Sequence, residues 1–374
     1  MSKLHDGLPG AGLQLEMNTQ LPVSSYFDET LYQAELERLF AKGPKYIGHE
    51  LMVPNAGDYH VLEASNGARY LKRTEAGEVK CLSNICRHRQ AFMLDGRGNG
   101  KHTVCPLHRW TYDEAGQLMG APHFPGNPCL HLPDTPLQSW NGLLFESGRD
   151  IEADLKDMGV ARNFDFSNYV FHSVHVDDYQ GNWKTFIEVY LEDYHVVPFH
   201  PGLGQFVECN DLQWQFAPWY SVQTVGVHNG LAKPGSRTYE EWHRQVNAYY
   251  GDKKPEFGAI WLTYYPNITV EWYPHTLVIS TIIPTGPRSY KNVVEFYYPE
   301  DIAYFEPEFI AAEQAAYDET AVEDREIIDR MEAGREALYR AGRNEVGPYQ
   351  SPMEDGMRHF HEFYRREMAG LLRK

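Results

Sequence analysis

Between Asp28 and Lys42 apolar residues fall at Leu31, Leu36, Leu39 and Phe40 of DETLYQAELERLFAK, the rhythm of one helical face, and Asp28 stands where a cap belongs. From about Lys45 to Ser147 the pattern changes to short apolar runs, YHVLEA, ARYLKR, VKCLSN and NGLLFES, broken by Gly, Pro and Asn. Such runs predict antiparallel strands joined by turns, an all-β block. Beyond Val160, FHSVHVDDYQ reads as a strand feeding a helix that begins near Asn182. The run AIWLTYYPNITVEWYPHTLVISTIIP is aromatic and β-branched and is cut by PN and YPH, which predicts a hairpin or a larger part of a sheet. A carboxylate-rich helix follows from roughly Glu306 to Gly342. The expected class is α+β: a helical segment over 1–44, an all-β domain over 45–160 and a mixed domain over 161–374.

At 374 residues the chain has room for two to three domains. Its net charge of -18 argues against a nucleic-acid surface, which needs Lys and Arg against phosphate, and against an anionic membrane for the same reason. The start, MSKLHDGLPGAGLQLEMNTQ, lacks the apolar core of a signal peptide, and no run approaches the length of a spanning helix, so a soluble cytoplasmic protein is expected. Five cysteines in a long chain do not read as a disulfide framework. Cys81, Cys129 and Cys209 are expected to behave as small buried hydrophobes.

The chemistry concentrates in two knots, Cys86-Arg87-His88 and Cys105-Pro106-Leu107-His108. Each offers one thiolate and one imidazole from a tight loop, the ligand set of a Rieske [2Fe-2S] cluster, in which two Cys hold one iron and two His the other. Pro106 and the intervening DGRGNG suit such loops. Structural zinc also takes a Cys2His2 set, but zinc frameworks usually pair their cysteines at a C-x2-4-C spacing, whereas here each Cys is partnered by a His. His102, three residues before Cys105 in KHTVC, reads as a half-exposed strand residue.

A second constellation begins at Asn182, in NWKTFIEVYLEDYHVVPFHP. His195 and His200 on one continuous helix would lie about 140° apart, too far round to share an ion. Pro198 would clash with the carbonyl of Tyr194, so the helix is expected to end or kink just before it and let His200 swing back. An oxygen-activating Fe(II) site needs two His, one carboxylate and open positions. On the long helix most acids read as a solvated face, but Asp324 interrupts the apolar stripe of Tyr317, Ala321, Ile327, Ile328 and Met331. An inward carboxylate needs compensation, and a metal or a buried Arg or hydrogen-bond network would serve. Glu192, three residues before His195, is placed on the same helical face to accept the second ring N–H of that histidine, while Asp193 points to the other side.

SNICRHRQAF followed by CPLHRWTYDEAGQL resembles the cluster-binding segment of Rieske non-heme iron oxygenase alpha subunits, and the second block resembles the N-W-K, E-x-Y-H-x4-H-P segment of the same family. The resemblance implies an all-β Rieske domain, an N-terminal helix packed on the catalytic domain, and a helix-grip catalytic fold in which an antiparallel sheet wraps a long helix. It implies one [2Fe-2S] cluster on Cys86, His88, Cys105 and His108, and one mononuclear Fe(II) on His195, His200 and Asp324. It further implies O2 as co-substrate, NAD(P)H acting through a reductase or ferredoxin, and a head-to-tail homotrimer in which His108 of one subunit meets Glu192 of the next. Many members acting on aromatic rings carry Asp at that bridging position, so Glu192 leans toward the branch acting on quaternary amines.

Two other readings stand beside this one: a Rieske electron carrier without oxygenase activity, and a zinc hydrolase built on His195, His200 and Asp324. For the substrate cavity Phe199, Leu203, Phe206, Trp261, Tyr264, Tyr265, Trp272 and Tyr273 are candidate lining. A cage of them without a paired acid would suit a trimethylammonium group; a flat uncharged cavity would suit an arene.

Overall fold

The computed structural model describes residues 19–372 apart from 147 and 252, so residues 1–18 of the amino-terminal stretch read above lie outside the described residues. Helix α1 (Glu29–Glu35) runs on into a wider turn over Leu36–Phe40, and the Asp28 carboxylate accepts from the amides of Thr30 and Leu31 as its cap. Its buried Leu31 and Leu39 pack with Trp183, Ile187 and Phe360, which ties this segment to helices far along the chain.

The block from 46 to 145 is built of short strands: β1 (Tyr46–His49), β2 (Asp58–Val61), β3 (Arg69–Arg73), β4 (Val79–Ser83), β5 (Arg97–Asn99), β6 (Thr103–Val104), β7 (Thr111–Tyr112), β8 (Leu118–Gly120), β9 (Asp134–Thr135), β10 (Gln138–Trp140) and β11 (Leu143–Phe145). They form three antiparallel sheets, in the orders β5-β2-β3-β4-β9, β6-β7-β8 and β1-β11-β10.

The second block is one seven-stranded antiparallel sheet of β12 (Tyr169–Gln180), β13 (Val207–Ala217), β14 (Tyr220–Val227), β15 (Ala259–Tyr264), β16 (Ile268–Tyr273), β17 (Thr276–Gly286) and β18 (Ser289–Pro299), in the order β12-β18-β17-β16-β15-β14-β13. Because successive strand residues face opposite ways, the sheet divides its side chains by parity. Ile260, Leu262, Val270, Leu277, Ile279 and Tyr297 pack with Trp140, Leu143 and Phe145 of the first block. Trp261, Val278, Val294, Phe296 and Tyr298 turn the other way, toward the helices. Tyr46 of the first block donates a 2.6 Å hydrogen bond to Glu295 across the seam.

The helices on the inner face are α2 (Trp183–Tyr190), α3 (Val196–Phe199), α4 (Arg237–Tyr250), α5 (Pro307–Arg340) and α6 (Asp355–Glu367). The long α5 lies against the sheet with its Phe309, Ala312 and Ala316 in the core. Among the described residues no helix is long and apolar enough to cross a membrane.

Two expectations need correction. Cys81 and Cys209 are buried, but Cys129 is exposed, its backbone in the left-handed region beside Asn127 in an irregular loop rather than on a core-facing strand. Pro198 does not end the helix that starts at Asn182. That helix stops at Tyr190, because Leu191 leaves helical geometry and its carbonyl is taken by the amide of Met357, while the Asp193 amide donates to the carbonyl of Met353. Pro198 instead sits in the first turn of the short α3, where a missing amide hydrogen costs nothing.

Candidate metal centres and substrate cavity

The two knots are built alike. Knot one follows β4 and closes with the amide of Gln90 on the carbonyl of Cys86 (3.1 Å); knot two, between β6 and β7, closes with the amide of Arg109 on the carbonyl of Cys105 (3.1 Å). Gln90 and Arg109 both adopt positive φ, which turns each loop back after its histidine. Asn84 braces the first knot, its carbonyl oxygen accepting from the amides of Met93 and Leu94 and its amide donating to the carbonyls of Gly67 and Leu94.

Cys86 and Cys105 are buried side by side, and burial together with the neighbouring thiol raises the pKa of Cys105. The rings of His88 and His108 lie 4.7 Å apart, with Trp110 stacked on His88 and the hydroxyl of Tyr112 3.7 Å from the Cys86 sulfur. The thiols thus face inward and the imidazoles outward, a donor set that fits a cluster with one sulfur-held and one nitrogen-held iron. His102 lies outside this group, exposed in a bend before β6.

The second centre forms where α3 meets α5. His195 caps the N-terminus of α3 and His200 follows its C-terminus, so a single helical turn carries both, and α5 brings Asp324 between them. One donor atom of each of the three lies within 4.8 Å of the other two. His195 Nε2 is 3.5 Å and His200 Nε2 3.1 Å from the same oxygen, Asp324 Oδ1.

Each imidazole is held by its other nitrogen. His195 Nδ1 bonds to Glu192, whose second oxygen accepts from the His195 amide (3.0 Å), and His200 Nδ1 lies 2.7 Å from Glu323 Oε2. Carboxylates on both Nδ1 atoms leave both Nε2 atoms free to converge, the arrangement that orients metal-bound histidines. Apart from these contacts within the triad, His200 Nε2 and Asp324 Oδ1 are buried with no hydrogen-bond partner. Burial opposes a proton on His195, yet Asp324 and Glu192 outweigh it and push its pKa up to about 10. The surplus negative charge that holds this proton would hold a divalent ion better, and two His with one carboxylate and open sides fit Fe(II).

Glu192 is therefore adjacent to His195 as expected, though it reaches it from a loop rather than from a helical face. Asp193 is buried and bonded to Gln223, and burial lifts its pKa to about 7. Glu323, read from the sequence as one of a solvated row, is the residue that sequence reasoning missed here. Its only sequence signal is its place beside Asp324.

A cavity opens from this triad between the sheet and α5. Of the candidate lining residues, Leu203, Phe206, Trp261 and Tyr273 line it. Tyr264 and Trp272 have the opposite parity and pack against the first block, Tyr265 packs on Phe360 and Phe363, and Phe199 lies outside the lining beside His200. The lining also carries seven carboxylates and no Lys or Arg. Three of these acids, Asp193, Glu271 and Glu313, are buried, and burial pushes the pKa values of the last two up to about 7 and about 8.

Two family models match the chain: the Rieske [2Fe-2S] domain over residues 43–138, and the ring hydroxylating alpha subunit (catalytic domain) over residues 166–370. The putrescine 2-hydroxylase of Ralstonia nicotianae is 65% identical over 94% of this chain and 96% of its own length. The putrescine 2-hydroxylase of Bordetella bronchiseptica is 53% identical over 94% and 85%. A solved quaternary ammonium Rieske monooxygenase superposes with a TM-score of 0.75 at 17% identity, covering 97% of this chain and 99% of that one, a likeness of fold. Two family models in this order, spanning most of the chain, place it in the ring-hydroxylating alpha-subunit family, as a catalytic subunit preceded by its own Rieske domain.

Proposed function

We propose that this protein hydroxylates a carbon of a short aliphatic diamine, putrescine being the substrate in the names of both relatives. The observation that carries the reading is a cavity beside the His-His-Asp triad whose lining holds three buried carboxylates outside the triad, Asp193, Glu271 and Glu313, and no Lys or Arg. Buried carboxylates without a cation are costly, and an entering ammonium would lift that cost. An uncharged arene would leave it in place, and a trimethylammonium group could not donate hydrogen bonds to the acids.

The chain is a terminal oxygenase component, using O2 and electrons that NAD(P)H supplies through a partner reductase or ferredoxin to act on a small organic substrate. Its cofactors are a [2Fe-2S] cluster and a mononuclear Fe(II), which when bound store an electron and activate oxygen. In the proposed hydroxylation one oxygen atom replaces hydrogen on carbon as a hydroxyl. The other leaves as water, with two electrons from NAD(P)H and two protons from solvent.

We assign the cluster to Cys86, His88, Cys105 and His108, and the iron to His195, His200 and Asp324. Glu192 orients His195 through Nδ1, and Glu323 does the same for His200. Glu192 is also assigned as the relay between centres. Supporting a head-to-tail trimer, Phe92 and Leu107 at the knots and Tyr194 and Val197 around His195 are more than half exposed, so each centre has an apolar rim for a neighbour to cover. His108 of one subunit would then face Glu192 of the partner subunit. A cytoplasmic location accords with free thiols and a nicotinamide-driven reductase.

The test is oxygen uptake by the iron-replete protein with a generic reductase, comparing putrescine, choline and benzoate. Putrescine-stimulated uptake with a product heavier by one oxygen is expected; uptake with benzoate but not putrescine sinks the diamine reading. Iron analysis separates the rival classes, since an electron carrier holds only the two cluster irons. Asp324→Ala is expected to lose the mononuclear iron while the cluster's colour persists.

A further inference from the structure

We propose that Glu271 is the specificity-determining residue of this cavity, its carboxylate taking the ammonium of the diamine that lies farther from the triad. The inference rests on the diamine reading and adds which residue sets the length of the amine and the carbon presented.

Glu271 sits on β16 in ITVEWY, with the parity that faces α5, opposite Trp261 on β15 and Val278 on β17. It is 3% exposed, and the partners of its carboxylate are neutral hydroxyls: Tyr273 donates to Oε2 at 2.8 Å, Thr269 to Oε1 at 3.3 Å and Tyr317 to Oε1 at 3.5 Å. Trp261 in turn donates its indole N–H to the Tyr273 hydroxyl at 2.9 Å, so the positions of the donors are themselves fixed. These contacts orient a carboxylate without neutralising it.

A second and separate feature points to a hydrogen-bond-donating guest. Asn292, on β18 and 5% exposed, lines the same cavity with its side-chain oxygen buried and unpartnered. Tyr273, Trp261 and Tyr317 supply the aromatic faces that favour a cation beside the acid.

Reach selects Glu271 over the deeper acid. Tyr317, which touches Glu271, precedes Asp324 by seven residues on α5, about 10 Å along the axis. An extended four-carbon diamine spans about 6 Å between nitrogens by standard bond lengths. Adding about 3 Å for the ammonium–carboxylate contact brings its near carbons to the triad. Glu313 lies a further turn away, about 6 Å more, and hydrogen bonds to Tyr298 on β18.

The experiment uses holoenzyme, with anaerobic calorimetric binding and steady-state oxygen uptake. The ligands are putrescine, cadaverine and pentylamine, which replaces the far ammonium with a methyl. Wild type is expected to favour putrescine over pentylamine by about 10- to 100-fold, the worth of one charged hydrogen bond. Glu271→Gln should reduce that ratio to within about threefold by weakening putrescine alone, pentylamine binding being the control for an intact cavity. Glu271→Asp draws the carboxylate back about 1.5 Å and should move the preference from putrescine to cadaverine, a shift that a merely structural residue would not cause. A putrescine preference that survives in E271Q, or a four-carbon preference unchanged in E271D, overturns the assignment alone. A wild type that does not distinguish putrescine from pentylamine overturns the diamine reading with it.

Discussion

Glu323→Ala removes the one carboxylate that holds His200 by Nδ1, and its effect can be worked from the geometry. The Glu323 Oε2 to His200 Nδ1 contact is 2.7 Å, with His200 fully buried and Glu323 about a quarter exposed. The bond does two things: it fixes the tautomer that leaves Nε2 for an ion, and it adds negative charge behind the ring. Loss of such an outer carboxylate typically costs 10- to 100-fold in metal affinity, or about 1.4 to 2.7 kcal/mol. Glu323→Gln keeps an acceptor oxygen but no charge and should fall between wild type and Ala. The assay is competition for the mononuclear iron by a graded series of chelators, with the cluster's visible absorbance as an internal standard. Iron retention in E323A equal to wild type would show that His200 is oriented by packing alone, and the reasoning fails.

Glu192→Ala should weaken the mononuclear iron as Glu323→Ala does and, even with iron supplied to saturation, abolish coupled turnover; hydroxylation by the iron-saturated variant still coupled to NAD(P)H use would exclude the relay. Glu188 is fully buried between Arg335 (2.6 Å) and His361 (2.9 Å) and also accepts from Tyr26. Glu188→Ala strands the Arg335 charge and is expected to cost about 3 to 5 kcal/mol, read as a drop of several degrees in Tm; an unchanged Tm would refute it. Burial lifts the Glu295 carboxyl from its ordinary value to about 7, although Tyr46 and Tyr297 donate to it. The folded state therefore keeps its proton longer than the unfolded state, and stability from this group is full below about 4.5 and lost as pH rises through 7, about 3 kcal/mol in all. Glu295→Gln should match wild type at pH 4.5 and gain Tm over it progressively toward pH 8; parallel curves would refute this.

Much of this was legible in the chain. Paired Cys-x-His and Cys-x2-His spacing, a carboxylate inside an apolar helical stripe and two nearby histidines led to the residues that the fold brings together. The manner of their meeting was not legible. The helix after Asn182 ends at Tyr190 because backbone groups near Met353 and Met357 bond to it, and no local rule can see a partner about 160 residues away. Glu271 was passed over because ITVEWY reads as an aromatic strand. The signal was the same one that exposed Asp324, a single acid at a position whose parity is buried. Helix α4 was missed although Tyr239, Trp242, His243 and Val246 fall at helical spacing and Ser236 caps it.

The alternation along β15 and β16 has a practical consequence for redesign. Odd-numbered positions such as Trp261, Glu271 and Tyr273 shape what enters the chamber, whereas their even-numbered neighbours Ile260, Leu262 and Val270 glue the two blocks together. Libraries confined to the odd set can explore new guests without loosening the joint between the blocks. A one-residue insertion in either strand would exchange the two roles at a stroke.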